Sequence, residues 1–204
     1  MPRPLRELEP GGIYHVTARG NRKQGIFLAD EDRELFLTLL ARITIPLRWF
    51  FHAYCLMENH YHLVIETPEA NLSAGMQRVN GRYAQAFNSR YALSGHLFQG
   101  RFHSVPVKSD GHLLGLARYL ALNPVRAGLC ARPEDWPWSS CRAVLGMVSP
   151  PTFLRIERVL DCFGLHAEQQ RANFGRFLRD ASVRAEPELA TRATSGVRPR
   201  PRLF

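Results

Sequence analysis

Lysine is almost missing from this chain. Its 27 basic residues include only Lys23 and Lys108 as lysines, so a net charge of +9 rests on arginine. Guanidinium groups fork onto phosphate and stack on bases. The balance therefore points to a polyanionic partner, nucleic acid or an anionic membrane surface, although a high-GC gene would give the same arginine bias. Cysteine is also scarce. Cys55, Cys130, Cys141 and Cys162 never fall at C-x-x-C spacing, which argues against a zinc knuckle, and Cys55 reads as a small core residue. No apolar run approaches the roughly 18 residues needed to span a bilayer. The opening MPRPLRELEPGG carries no apolar signal region. A reducing, cytoplasmic setting with no membrane partner is expected. What the chain does have is 45% hydrophobic and 10% aromatic residues over 204 positions, enough for one full domain with an appendage.

The order of elements follows from periodicity. GIYHVTARG alternates as a strand ending at Gly20, with His15 inside it as a satisfied structural histidine. Asp30, Glu31 and Asp32 open a helix whose Phe36, Leu39, Leu40 and Ile43 share a face, and Pro46 is expected to end it. Two strands follow at 49–57 and 60–67, then a helix at 72–91 with Asn71 as its cap. Met76, Val79, Tyr83 and Phe87 face the core there, away from Arg78, Arg82 and Arg90. A short strand at 102–108 precedes a helix capped by Asp110, which Asn123-Pro124 stops or bends. The sum is an α+β fold with a ferredoxin-like antiparallel sheet and helices packed on one face. Residues 1–148 form that domain. Residues 149–183 form a helical extension of two amphipathic helices, and 184–204 a basic, Pro-rich, disordered tail. No internal repeats are visible.

Chemistry gathers around AYCLMENHYHLVIET. Side chains at i and i+2 share a strand face, so His60 and His62 project together and Tyr61 points the other way. They are a ready ligand pair or ordinary half-buried strand histidines. Tyr119 and Asn123 stand four apart on the later helix and share one of its faces. If that face meets the histidines, two imidazoles and an amide oxygen would hold Mg²⁺ or Mn²⁺ with open positions. Tyr119 would then attack phosphorus as a nucleophile. Tyr61, Tyr83 and Tyr91 are the competing tyrosines, and all three read as packing residues. For nucleic acid, Arg19, Asn21, Arg22 and Lys23 surround a Gly-Asn turn. Gln99 and Arg101 lie in HLFQGRF, where aromatic, amide and basic groups interleave. A solvated loop and a structural turn are equally open readings of these two stretches.

The succession GIYHVTARGN, ENHYHLVIE, GHLFQGRFHS, RYLALNPVRAGL and DWPWSS resembles the IS200-like Y1 transposase superfamily over residues 11–146, and within it the REP-associated tyrosine transposases. The resemblance implies an HUH motif at His60 and His62 around Tyr61, a catalytic Tyr119 and an amide metal ligand at Asn123. It further implies metal-dependent cleavage and rejoining of single-stranded DNA near hairpins or REP-like palindromes. The intermediate would be a covalent 5′-phosphotyrosine, and the agent a monomer or homodimer. The extension departs from the minimal family domain. Two rival readings stand beside this one: a transposase-derived module that binds hairpins without cutting, and a metal-dependent hydrolase of small phosphoesters.

Overall fold

The computed structural model describes residues 8–164 and 166–180; the expected basic tail at 184–204 lies outside the described residues. The first element among the described residues is strand β1 (Gly12–Arg19), which leads into helix α1 (Asp30–Leu47). Strands β2 (Phe50–Leu56) and β3 (His60–Thr67) form a hairpin, followed by helix α2 (Leu72–Arg90), strand β4 (His103–Pro106) and helix α3 (Asp110–Arg126). The four strands pair antiparallel with one another, in the spatial order β2-β3-β1-β4. The split β-α-β arrangement expected from the sequence is therefore present.

Alternation divides β3 between the two faces. Tyr61, Leu63 and Ile65 point towards α1 and α2. There Tyr61 is fully buried, its ring 4.8 Å from that of Phe36, and its hydroxyl donates to Asn80 Oδ1 at 2.7 Å. Phe27, Phe36 and Tyr83 complete this aromatic core, and the Tyr83 hydroxyl donates to the Ile26 carbonyl. Tyr91 donates to Asp32 Oδ2 at 2.8 Å. All three competing tyrosines thus have structural partners.

The helices expected on one face need correcting in one respect. The two crossover helices, α1 and α2, do share a face, but α3 lies across the other one, against β2. The histidine side of the sheet is apolar at Val64 of β3 and small at Ala53 and Cys55 of β2, so it still needs covering. The buried stripe Leu113, Leu116, Leu120 and Pro124 of α3 supplies the cover.

Several expected boundaries shift for local reasons. Helix α1 runs one residue past Pro46 and ends at Arg48 in the left-handed region. The α3 cap is Ser109, whose Oγ accepts from the His112 amide at 3.2 Å, and Asp110 is the first helical residue. Asn71 stands at the start of α2, but its side chain accepts from Trp49 Nε1 at 2.6 Å and caps nothing. Pro124 does not stop α3. The Ala127 and Leu129 amides still close onto the Asn123 and Pro124 carbonyls at 3.0 and 2.9 Å, so the last turn forms without the missing proline N–H.

Beyond α3 come two short helices, α4 (Cys141–Val144) and α5 (Glu157–Leu160), and then α6 (Ala167–Arg179). The first helix expected in the extension shrinks to α5 and a 3₁₀ turn, because the residues before it run along the outer edge of β2. Leu154 bridges to Phe51 there, and the Arg155 amide donates to the Phe51 carbonyl at 2.7 Å. Ser139 bridges to Cys55 further along the same strand. This edge, with its unpaired backbone groups, is thereby occupied. Helix α6 packs on α3: the Arg118 guanidinium lies 5.2 Å from the Phe177 ring centre and donates to the Asp180 carbonyl. The extension thus grips the helix that carries Tyr119 at the adjacent residue.

Candidate active site

Sheet register and the position of α3 bring the sequence-predicted residues together. His62 lies opposite Thr17 of β1, and His60 opposite Arg19. Above them, α3 presents Tyr119 and Asn123 one turn apart. The Tyr119 ring centre is 5.4 Å from that of His62, edge to face, and the His60 and His62 rings are 5.0 Å apart. Asn123 Nδ2 donates to His62 Nε2 at 3.1 Å, and the same side chain lies one helical turn from the Tyr119 phenol, whose pKa it pulls down. One amide thus stands beside both the phenol and the imidazole pair.

Three further residues belong to this arrangement. His15 Nε2 lies 3.0 Å from His62 Nδ1. Asn59 accepts from His60 Nδ1 at 2.7 Å while its Nδ2 donates to the Lys23 carbonyl at 3.0 Å. The Arg126 guanidinium carbon stands 5.7 Å from the Tyr119 ring centre. Residues 119, 123 and 126 form one helical stripe at i, i+4 and i+7. That stripe was readable in the sequence, but an expected stop at Pro124 leaves Arg126 off the helix. Strand alternation alone reads His15 as a structural histidine, since it says nothing about which cross-strand neighbour the ring meets.

Electrostatics follow burial. Burial, with help from the neighbouring Arg19, lowers His60 to about 4. His62 sits well below the usual imidazole value, mainly through burial, with His15, His60 and Arg19 adding to it. Both rings are neutral at pH 7 and keep a lone pair for ligation. Burial raises the Tyr119 phenol, while the Asn123 hydrogen bond and the Arg126 charge pull it back down. The phenolate thus meets two stabilising groups in a site that otherwise disfavours it.

Among the described residues, no three His, Cys, Asp or Glu side chains gather as a metal cage. Two imidazoles and an amide form a smaller donor set, suited to an ion that keeps open positions. Adjacent oxygen or nitrogen donors on a Mg²⁺-sized ion stand about 3.0 Å apart, given bonds of about 2.1 Å. The 3.1 Å between His62 Nε2 and the Asn123 amide fits that separation, and a half-turn of the amide presents Oδ1 in place of Nδ2. His62 and Asn123 therefore stand at the separation of two neighbouring ligands of such an ion, with His60 beside them.

Beside the site, the two candidate nucleic-acid stretches are tied to each other. The Asn21 amide donates to the Leu97 carbonyl at 2.8 Å, and the Gln99 amide to the Arg19 carbonyl at 2.9 Å, around a Gly20–Phe98 bridge. Gly20 is required there: a Cβ would stand 2.1 Å from the Gln24 carbonyl oxygen. Arg22 and Lys23 are both left-handed, with φ of 53° and 63°, strained by about 1 kcal/mol each. Arg22, Lys23, Gln99 and Arg101 are exposed, and Arg19 and Asn21 are half-buried.

Comparison with known proteins gives concordant matches. The family profile described as "Transposase IS200 like" matches residues 11–123, more than half of the chain. A "Putative REP-associated tyrosine transposase" from Haemophilus influenzae (strain ATCC 51907 / DSM 11121 / KW20 / Rd) is 26% identical over 147 residues, covering 66% of this chain and 82% of the relative. A solved structure described as a REP-associated tyrosine transposase bound to a REP hairpin superposes with a TM-score of 0.61 at 17% identity, covering 76% of this chain and 92% of the other. At that identity the superposition speaks for the fold. No described helix is long and apolar enough to cross a membrane.

Proposed function

The chain belongs to the IS200-like transposase family, and on that footing we propose that it cuts and rejoins single-stranded DNA at hairpin sequences through a covalent bond to Tyr119. The observation that carries this reading is the meeting of the Tyr119 ring with His62 at 5.4 Å, beside His60 and under an Asn123 amide bonded to His62, which brings a phenol and two imidazoles to one place. The hairpin preference draws on the similar solved transposase, whose structure includes a REP hairpin.

In the proposed step, Tyr119 Oη attacks phosphorus. An O–P bond forms to the phenol oxygen as the bond from phosphorus to the 3′ oxygen breaks. The phenolic proton is lost, the departing 3′ oxygen gains one, and the products are a 5′-phosphotyrosine diester and a free 3′-OH. The diester conserves the energy of the original linkage, so a 3′-OH can reverse the step and join a new end without ATP. Asn123 and Arg126 stabilise the phenolate that attacks. His60, His62 and Asn123 would hold a divalent ion, Mg²⁺ or Mn²⁺. When bound, that ion supplies polarisation of the scissile phosphate. Arg19, Asn21, Arg22, Lys23, Gln99 and Arg101 form a joined platform that places the backbone and stacks on bases.

Incubation with a labelled hairpin oligonucleotide and Mn²⁺ should leave a band of protein joined to DNA that survives denaturation. Tyr119→Phe should abolish the band. A band of undiminished strength in that variant removes Tyr119 as nucleophile.

A further inference from the structure

His62 has two ring nitrogens and both are engaged, but the proposed ligand role uses only one. The other, Nδ1, faces His15 Nε2 at 3.0 Å. The two ring planes lie within 13°, with centroids 5.2 Å apart. That separation exceeds the N···N distance by about two ring radii, nearly the maximum the geometry allows. The bond is therefore in line and nearly coplanar, and the rings do not lie face on. His15 is 4% exposed and His62 is 6% exposed, so water cannot readily replace either partner. Tyr119 closes over the pair, its ring centre 6.4 Å from that of His15.

The direction of this bond follows from the other end of the ring. Asn123 Nδ2 donates to His62 Nε2, so Nε2 carries the lone pair and the ring proton sits on Nδ1. Nδ1–H then donates to His15 Nε2, whose own proton is on its Nδ1. His60 repeats the pattern: its Nδ1–H donates to Asn59 Oδ1, which leaves its Nε2 free. Each histidine of the HYH motif thus has its Nδ1 proton held by a separate partner.

We propose that His15 is a positioning residue: by accepting the Nδ1 proton it fixes the ring plane and tautomer of His62, so that Nε2 faces Asn123 and Tyr119 as a lone-pair donor. The proposal deepens the function above and rests on it for the identity of the site. Holding the far nitrogen of a ligating imidazole is worth roughly 10- to 100-fold in metal affinity at comparable sites. In chain terms, β1 then contributes to the site from its middle as well as from its basic end at Arg19.

Two variants separate positioning from mere packing. His15→Phe keeps an aromatic ring in the space and removes the acceptor. His15→Gln restores a side-chain acceptor. Ring-nitrogen NMR on ¹⁵N-histidine-labelled protein, with chelator present, reads the His62 tautomer directly. Wild type should show a proton on Nδ1 only; His15→Phe should show a mixture or the opposite tautomer, and His15→Gln should return towards wild type. Calorimetric Mn²⁺ titration should show affinity about 10- to 100-fold weaker in His15→Phe, with most of the loss recovered in His15→Gln. Hairpin binding in chelator should be equal in all three, which controls for folding. An unchanged His62 tautomer in His15→Phe overturns the proposal. If wild type binds no Mn²⁺, the metal reading of the site fails, and the tautomer measurement still decides the role of His15.

Discussion

Replacing Asn123 with alanine removes the amide that bonds His62 beside Tyr119, and its effect can be worked out with and without metal. Without metal, the buried His62 Nε2 loses its donor at 3.1 Å, while half-exposed Tyr119 can turn to water. The loss should be about 1–2 kcal/mol. With Mn²⁺ at a hundred times the wild-type dissociation constant, wild type should gain about 2.7 kcal/mol of stability. Removing one of three protein ligands should weaken binding by about 30-fold, within the range that even outer partners of a ligand cost. The variant then gains only about 0.9 kcal/mol at the same Mn²⁺ concentration. For a domain of this size these figures correspond to melting shifts of about 5–11 °C for wild type and about 2–4 °C for Asn123→Ala. The assay is a pair of thermal melts for each protein, one in chelator and one in Mn²⁺. Equal Mn²⁺ shifts in the two proteins would refute the assignment of Asn123 as a ligand, and no shift in wild type would refute the site as a whole.

Other consequences can be checked separately. Tyr61→Phe should cost about 1 kcal/mol in urea unfolding, the net worth of its hydrogen bond to Asn80, and leave the covalent adduct intact; loss of the adduct in a folded Tyr61→Phe would reopen the choice of nucleophile. Lys23→Ala and Arg101→Ala should each weaken hairpin binding across sequences and flatten its salt dependence by about 0.7–0.9 in slope, and unchanged slopes would remove those side chains from the phosphate contacts. Burial pushes the Tyr54 phenol up to about 12. The unfolded chain ionises near pH 10 while the folded one does not, so stability should fall as pH rises from 10 to 12, by up to about 3 kcal/mol. Tyr54→Phe should remove that part of the slope, and an identical slope in the variant would contradict it.

Much of this site was legible because strand periodicity is strict. Alternation alone separates His60 and His62 from Tyr61, and the structure puts them on opposite faces, with Tyr61 in the aromatic core. The i, i+4 spacing likewise places Tyr119 and Asn123 on one helical face. That α3 meets the histidine side at all is a tertiary fact. It follows from apolar Val64 and small Ala53 and Cys55 needing cover, and no local pattern states which helix supplies it. The same limit hid His15, whose meeting with His62 depends on the β1–β3 register. Arg126 was missed for a different reason. A proline at 124 ordinarily signals a stop, yet the last turn of α3 closes around it through the Ala127 and Leu129 amides. In the extension, helical periodicity over 153–160 competed with the open edge of β2, and backbone pairing at Phe51 won.

The most direct test of the central claim is the identity and polarity of the covalent product. A hairpin oligonucleotide labelled at its 5′ end in one reaction and its 3′ end in another, incubated with the full chain and Mn²⁺, reports which fragment stays on the protein. Attack by Tyr119 with release of a 3′-OH predicts that the 3′-labelled fragment remains attached, that the 5′-labelled fragment leaves, and that the modified peptide contains Tyr119. Retention of the 5′-labelled fragment, or a DNA adduct mapped to Tyr61, Tyr83 or Tyr91, would contradict the account.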